Sequence, residues 1–184
     1  MKTKIQNLND ALIIKLKALY DIEKELTKAL PKMAKKATDE DLKAAFEEHL
    51  KETEVHVERI EECFELLDLK PAKVKVEAIR GLVADTEWIV QEKPGKEVLD
   101  SMLIASASYV EHYEMAGYTS ASKWARMLDY TQVADLLDET LQEEEGAADK
   151  LAGLADSVID ERAMGMDMEE DDLPVDAKSA GGGD

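Results

Sequence analysis

The sequence predicts an all-α protein, a four-helix bundle with an additional shorter helix in the crossover connection between its halves. Three observations carry this. Apolar residues recur at alternating steps of three and four along four long stretches, the period of a helix with one buried face. Proline is rare, four in 184 residues, and Ala, Leu, Glu and Lys abound, which favours helix. No stretch sustains a period of two, so no sheet is expected. With 45% apolar content over 184 residues, one domain has room for a substantial core.

The first helix is expected from residue 8 to about 36, on the stripe Leu12, Leu16, Leu19, Glu23, Leu26, Leu30, Met33. Pro31 removes one of its hydrogen bonds. "ATDEDL" supplies a stop and a start, with Thr38 as the expected N-cap and acids after it that suit the helix dipole. The second helix then runs to about Leu67. Residues 68–95 are a long connection in which "VEAIRGLVADTEWIVQEK" has helical spacing and "KPGK" ends the run. A connection of this length can carry the chain across a bundle. A third long helix follows from about Lys96 to Leu128, tight punctuation at "LDYT", and a fourth from about Thr131 to Asp160. The bundle domain is therefore placed at 1–161. Residues 162–184, acid-rich and glycine-ended, are expected to form a disordered tail.

The net charge of −19 argues against a nucleic-acid partner, which needs clustered Lys and Arg, and against an anionic membrane surface. With no long apolar run and no basic-then-apolar start, the expected location is the cytoplasm. The single cysteine, Cys63, lies on an apolar stripe and reads as a buried, inert thiol.

The stripes are interrupted by polar residues where leucine would be expected. The second helix runs Leu42, Phe46, His49, Thr53, His56, Ile60, Cys63, Leu67, with Glu52 beside it. Glu23 interrupts the first stripe, Glu111 and Glu114 the third, and Glu143 the fourth, with Glu139 one turn earlier. Spacings repeat as well: Glu23 to Glu52 is 29 residues and Glu111 to Glu139 is 28. "ETEVH" in the second helix matches "ETLQE" in the fourth. This is a weak internal duplication of two helical hairpins. An isolated carboxylate in a dry interior costs several kcal/mol, and clustered ones raise each other's pKa. Divalent cations relieve that repulsion directly, and mixed carboxylate–imidazole sets suit iron or manganese. The candidate metal ligands are Glu23, Glu52, His56, Glu111, Glu114, Glu139 and Glu143. Solvated carboxylates are the rival reading for Glu52 and Glu139, which flank their stripes. His49, His112, Thr53 and Thr140 read as hydrogen-bonded supports, and Glu144 as solvated.

"LYDIEKELTKALPKMAKKA", "AFEEHLKETEVHVERIEECFELL", "VEHYEMAGYTSASKWARML" and "LLDETLQEEEGAADKL" together resemble the YciF-type bacterial stress proteins of the ferritin-like superfamily. The resemblance spans about residues 8–155 in the same order. It implies a ferritin-like bundle, a homodimer, a dimetal site holding two transition-metal ions per chain, and a link to osmotic and oxidative stress. The sequence departs from the general ferritin-like pattern in two places. Its second-helix pair, Glu52 and His56, is four residues apart rather than three, and Glu143 stands where a histidine is usual. Two functions remain open: a dimetal protein acting on peroxide or dioxygen, or a non-enzymatic helical stress protein working through protein contacts. Which residues would be catalytic is not fixed.

Overall fold

The computed structural model describes residues 5–166, and every regular element among them is helical. In chain order these are α1 (Leu8–Lys36), α2 (Glu40–Leu66), α3 (Glu77–Glu92), α4 (Lys96–Met127), α5 (Thr131–Leu154) and α6 (Asp160–Met166). A π-type turn, Ala155–Ile159, joins the last two.

α1 starts at Asn7, whose side chain accepts the Asp10 N–H at 2.8 Å, satisfying a donor left free by the first turn. It then continues unbroken through Pro31. The cap of α2 is Asp39, not the expected Thr38. The Asp39 carboxylate accepts the N–H groups of Asp41 and Leu42 at 3.0 and 3.1 Å. Thr38 is instead engaged by Asp100 of α4, which accepts its N–H at 2.8 Å, its hydroxyl at 2.5 Å, and the Asp39 N–H at 2.9 Å. A buried carboxylate holding the start of α2 to the start of α4 outcompetes a local cap. Asp129, at φ 62°, turns the chain between α4 and α5; aspartate tolerates this left-handed conformation better than most residues.

The pairings fix the topology. Glu48, His56 and Arg59 of α2 meet Lys150, Glu143 and Glu139 of α5, so these helices run antiparallel. Asn9 and Glu23 of α1 meet Tyr130, just beyond α4, and Tyr118 within it, so that pair is antiparallel too. α3 runs beside α1, from the Asp21–Arg80 pair to Lys32–Glu87, and with the loops on either side carries the chain back along the bundle. α2 and α4 are therefore parallel, across a ring in which each helix has antiparallel neighbours. The crossover is anchored at Asp21, which is 2% exposed. Its carboxylate accepts the Val76 N–H at 2.9 Å and two Arg80 bonds at 2.6 and 3.2 Å.

The core is the predicted set of stripes, led by Leu12, Leu16, Leu19, Leu42, Ile60 and Leu137. Burying such side chains contributes about 1.5–3 kcal/mol each. At the α1–α4 crossing a side chain on Gly117 would lie 2.9 Å from Leu19 Cδ2, so the helices touch through glycine. The expected end of the bundle at Glu161 falls inside α6, which packs on α4. Ser101 donates to Asp160 at 2.5 Å, and Arg162 pairs with Asp39 at 3.1 Å. The rest of the expected tail, 167–184, lies outside the described residues. No helix among the described residues is long and apolar enough to cross a membrane.

Candidate metal centre

The polar interruptions meet in one layer at mid-bundle. α1 supplies Glu23, α2 supplies His49 and His56, α4 supplies Glu111 and Glu114, and α5 supplies Glu144. Glu23, His56, Glu114 and Glu144 have no solvent exposure, and Glu111 and His49 have almost none. Two groups within this layer have metal-ligand geometry, Glu23–His56–Glu144 and His49–Glu111–Glu114–Glu144. In each, one donor atom per residue lies within 4.8 Å of all the others.

Glu144 belongs to both groups. Its Oε1 lies 3.0 Å from His56 Nδ1 and its Oε2 3.7 Å from His49 Nε2. One carboxylate thus faces two donor sets, the placement of a bridging ligand. Glu23 Oε1 stands 3.7 Å from His56 Nδ1, and Glu111 Oε1 3.5 Å from His49 Nε2. The buried Tyr118 hydroxyl donates to Glu23.

Hydrogen bonding leaves this layer incomplete. Both oxygens of Glu114, Oε2 of Glu144, and Oε2 of Glu23 and of Glu111 are buried with no hydrogen-bond partner, and Glu144 Oε1 and His56 Nδ1 face each other at 3.0 Å without hydrogen-bond geometry. Native interiors satisfy nearly all such atoms, and each unsatisfied one costs roughly 1–3 kcal/mol, more if charged. Six carboxylate oxygens and one imidazole nitrogen turned inward in one place are the donor set that a cation would complete. Oxygen with imidazole nitrogen suits iron, manganese and neighbouring divalent metals, so the residues fit the expected group.

Outside the layer, further carboxylates hold the imidazoles. Glu52 Oε2 lies 3.2 Å from His49 Nδ1, and Glu143 Oε2 lies 2.8 Å from His56 Nε2. Each leaves the other ring nitrogen facing inward, the arrangement by which a carboxylate orients a metal-ligating histidine. Arg59 completes the outer shell, bonding Glu143 at 2.9 Å and Glu139 at 2.8 Å.

Electrostatics follow from this crowding. Burial pushes Glu111 up to about 8, with the charges of Glu144 and Glu23 adding to it. Glu114 is raised well above the carboxylate range, again first by burial, and Glu23 is raised by burial and by Glu144. For the histidines burial works against the charged form, but their carboxylate neighbours outweigh it. His49 rises to about 9 through Glu52, Glu111 and Glu144, and His56 to about 10 through Glu144 and Glu23. Glu143, bonded by Arg59, and Glu52, bonded by His49, are held below the usual range.

Of the residues singled out from the sequence, the fold brings Glu23, His56, Glu111 and Glu114 into the layer. Glu52 and Glu143 stand behind His49 and His56, and Glu139, with a side chain 59% exposed, stands beyond Arg59. Glu144, expected in solvent, is fully buried. The correction is one of helix rotation: the buried face of α5 passes through Leu137, Thr140 and Glu144, steps of three and four that leave Glu143 about 100° away. His49 lay on the predicted stripe but was read as a support rather than as a donor. Cys63 is buried, and burial pushes its thiol up to about 12, as expected of an inert cysteine.

Fold and layer together define a helical-bundle protein with a buried carboxylate–imidazole centre shared by all four long helices. Residues 7–164 match the family described as "Domain of unknown function (DUF892)". The Escherichia coli (strain K12) protein YciF is 38% identical over 160 residues, 86% of this chain and 96% of that protein. The crystal structure of the E. coli stress protein YciF superposes with a TM-score of 0.80 at 39% identity, covering 82% of this chain and 96% of that one. YcfI from Rhodopseudomonas palustris gives 0.80 at 38% identity, with coverage of 83% and 97%. The chain belongs to the DUF892 family, and it is similar to YciF over most of its length.

Proposed function

We propose that the protein is a ferritin-like dimetal carboxylate protein that handles peroxide or dioxygen under oxidative or osmotic stress. The observation behind this reading is the set of unpartnered, inward-facing carboxylate oxygens, divided into two donor groups that share Glu144. Glu23, His56 and Glu144 would hold one ion, and His49, Glu111, Glu114 and Glu144 the other. When bound, a pair of iron or manganese ions supplies Lewis acidity and electrons to a small oxidant.

The chain's own residues do the rest. Glu52 and Glu143 orient the imidazoles, and Arg59 keeps Glu143 ionised for that task. Tyr118 fixes the rotamer of Glu23 through its hydroxyl. Ligation requires deprotonated donors, so His49, His56 and Glu111, which hold protons at neutral pH, must release them as cations bind. The four-helix enclosure buries the donor groups and leaves solvent the cleft between α2 and α5, which reaches His49 and Glu111.

A second reading, a non-enzymatic stress protein acting through protein contacts, draws on the crowding of the layer. The raised pKa values of His49, His56 and Glu111 favour protons that offset part of the buried negative charge without metal. Anaerobic loading with Fe²⁺ or Mn²⁺ followed by hydrogen peroxide separates the two. Repeated consumption of peroxide with a spectral change of the bound metal supports the first reading; a folded protein that ignores both metal and peroxide supports the second. The kinship also carries the expectation of a homodimer, which light scattering tests by a mass twice the 20.5 kDa of the chain.

A further inference from the structure

Behind the buried layer Glu52 and Glu143 are partly exposed, and both line a cleft of about 230 Å³ between α2 and α5. His49 and Glu111 also line it, so the cleft meets the donor groups themselves. Glu111 is 2% exposed and has an oxygen without a partner. Liquid water occupies about 30 Å³ per molecule, so the cleft has room for several waters around a small cation. Its walls suit that cargo, because Glu48, Glu52 and Glu143 offer successive carboxylates from surface to interior.

Two further features fit a passage. Gly146 lies on the α5 wall, where glycine within a helix costs about 1 kcal/mol relative to alanine. A Cβ there would meet nothing within 4 Å, so no close contact requires glycine, and what its absent side chain leaves is space. At the mouth Lys150 of α5 pairs with Glu48 of α2 across the cleft. Its side chain is 47% exposed, and a surface pair of this kind is held by about 1 kcal/mol or less. It can open readily.

We propose that this cleft is the entry route for divalent cations to the buried centre, with the Lys150–Glu48 pair as its gate; the inference rests on the metal reading above. A cation arriving at the mouth displaces the Lys150 ammonium from Glu48, passes Glu52 and Glu143, and exchanges its remaining waters for Glu111 and His49.

The test is Co²⁺ uptake by the metal-free full-length chain, followed by stopped-flow absorbance in the ligand-field bands. Gly146→Trp should slow uptake at least tenfold and Gly146→Ala should not. Lys150→Gln should speed it severalfold, and the amount of Co²⁺ bound at equilibrium should be the same in all four proteins. Uptake by Gly146→Trp at the wild-type rate overturns the route. If circular dichroism shows that variant misfolded, Lys150→Gln decides alone, and an unchanged rate overturns the proposal. Wild-type protein that takes up no Co²⁺ removes the metal reading and the route together; wild-type uptake with indifferent variants removes the route alone.

Discussion

The metal-free protein should lose stability as pH rises through neutrality, the reverse of ordinary acid denaturation. The perturbation is chelation at a series of pH values. Glu111, His49 and His56 have folded pKa values raised to about 8, 9 and 10. The unfolded chain releases these protons near pH 4.5 for the carboxyl and near 6.5 for the imidazoles. Between about pH 7 and 8 the fold therefore holds these three protons, which the unfolded chain has lost, besides any that burial keeps on Glu114. Stability falls wherever the folded state binds more protons, by about 1.4 kcal/mol per pH unit for each one. All three together give about 4 kcal/mol per pH unit, against a typical net domain stability of roughly 5–15 kcal/mol. The stabilising contribution of each histidine is complete below about 6.5 and disappears as pH passes its raised folded value. The cost of Glu111 grows from about 4.5 and is complete above about 8. Urea denaturation with a chelator present, followed by circular dichroism at pH 6, 7 and 8, reads the slope. Glu111→Gln should flatten it and leave the metal-free variant more stable than its parent at pH 8. A metal-free stability that is level or rising with pH, or an unchanged slope in Glu111→Gln, would refute the electrostatic account of the layer.

Three other outcomes are expected. Asp21→Ala removes the acceptor for Val76 and Arg80 at the start of the crossover, and should cost about 3 kcal/mol in denaturant unfolding. That difference should shrink in acid: burial opposes ionisation of Asp21, but Arg80, Val76 and Lys73 hold its pKa below the ordinary value, so its contribution is lost as pH falls through that lowered pKa. Asp100→Ala strands three donors at Thr38 and Asp39; a cost of about 2–3 kcal/mol, with faster amide exchange at the start of α2, would show that Asp100 joins the hairpins. Adding Mn²⁺ should raise the melting temperature more at pH 8 than at pH 6, and an equal shift at both would show that cations do not replace the buried protons.

The helices were legible because each stripe repeats over many turns, so one interruption does not hide the period. α3 was legible for the same reason in a shorter run, and its length fitted a crossover. The layer was legible as a zone but not as a ligand set, because one residue on a helix is a rotation of about 100°. Matching "ETLQE" to "ETEVH" aligned Thr140 with Thr53, and both are buried. It could not show that α5 turns the next residue, Glu144, inward from a run of three glutamates. His49 was visible on its stripe; what the sequence withheld was that Glu52 bonds it from outside. Asp21 and Asp100 went unread because their partners lie about 60 residues away in sequence. The expected fourth helix ran through the π-type turn at Ala155–Ile159 to about Asp160; the continuation into α6 went unread because "ERAMGM" beyond it carries no apolar stripe.

If Glu144 joins the two donor groups into one dimetal centre, the metal content of the protein and its variants will show it. Full-length protein loaded anaerobically with Fe²⁺ or Mn²⁺, freed of unbound ions by gel filtration and measured by mass spectrometry, should carry about two ions per chain. Glu23→Ala should retain about one, because Glu23 serves a single group, and Glu144→Ala should lose tight binding at both positions. A folded wild-type protein that retains no metal, or a Glu144→Ala variant that still holds two ions, would contradict it.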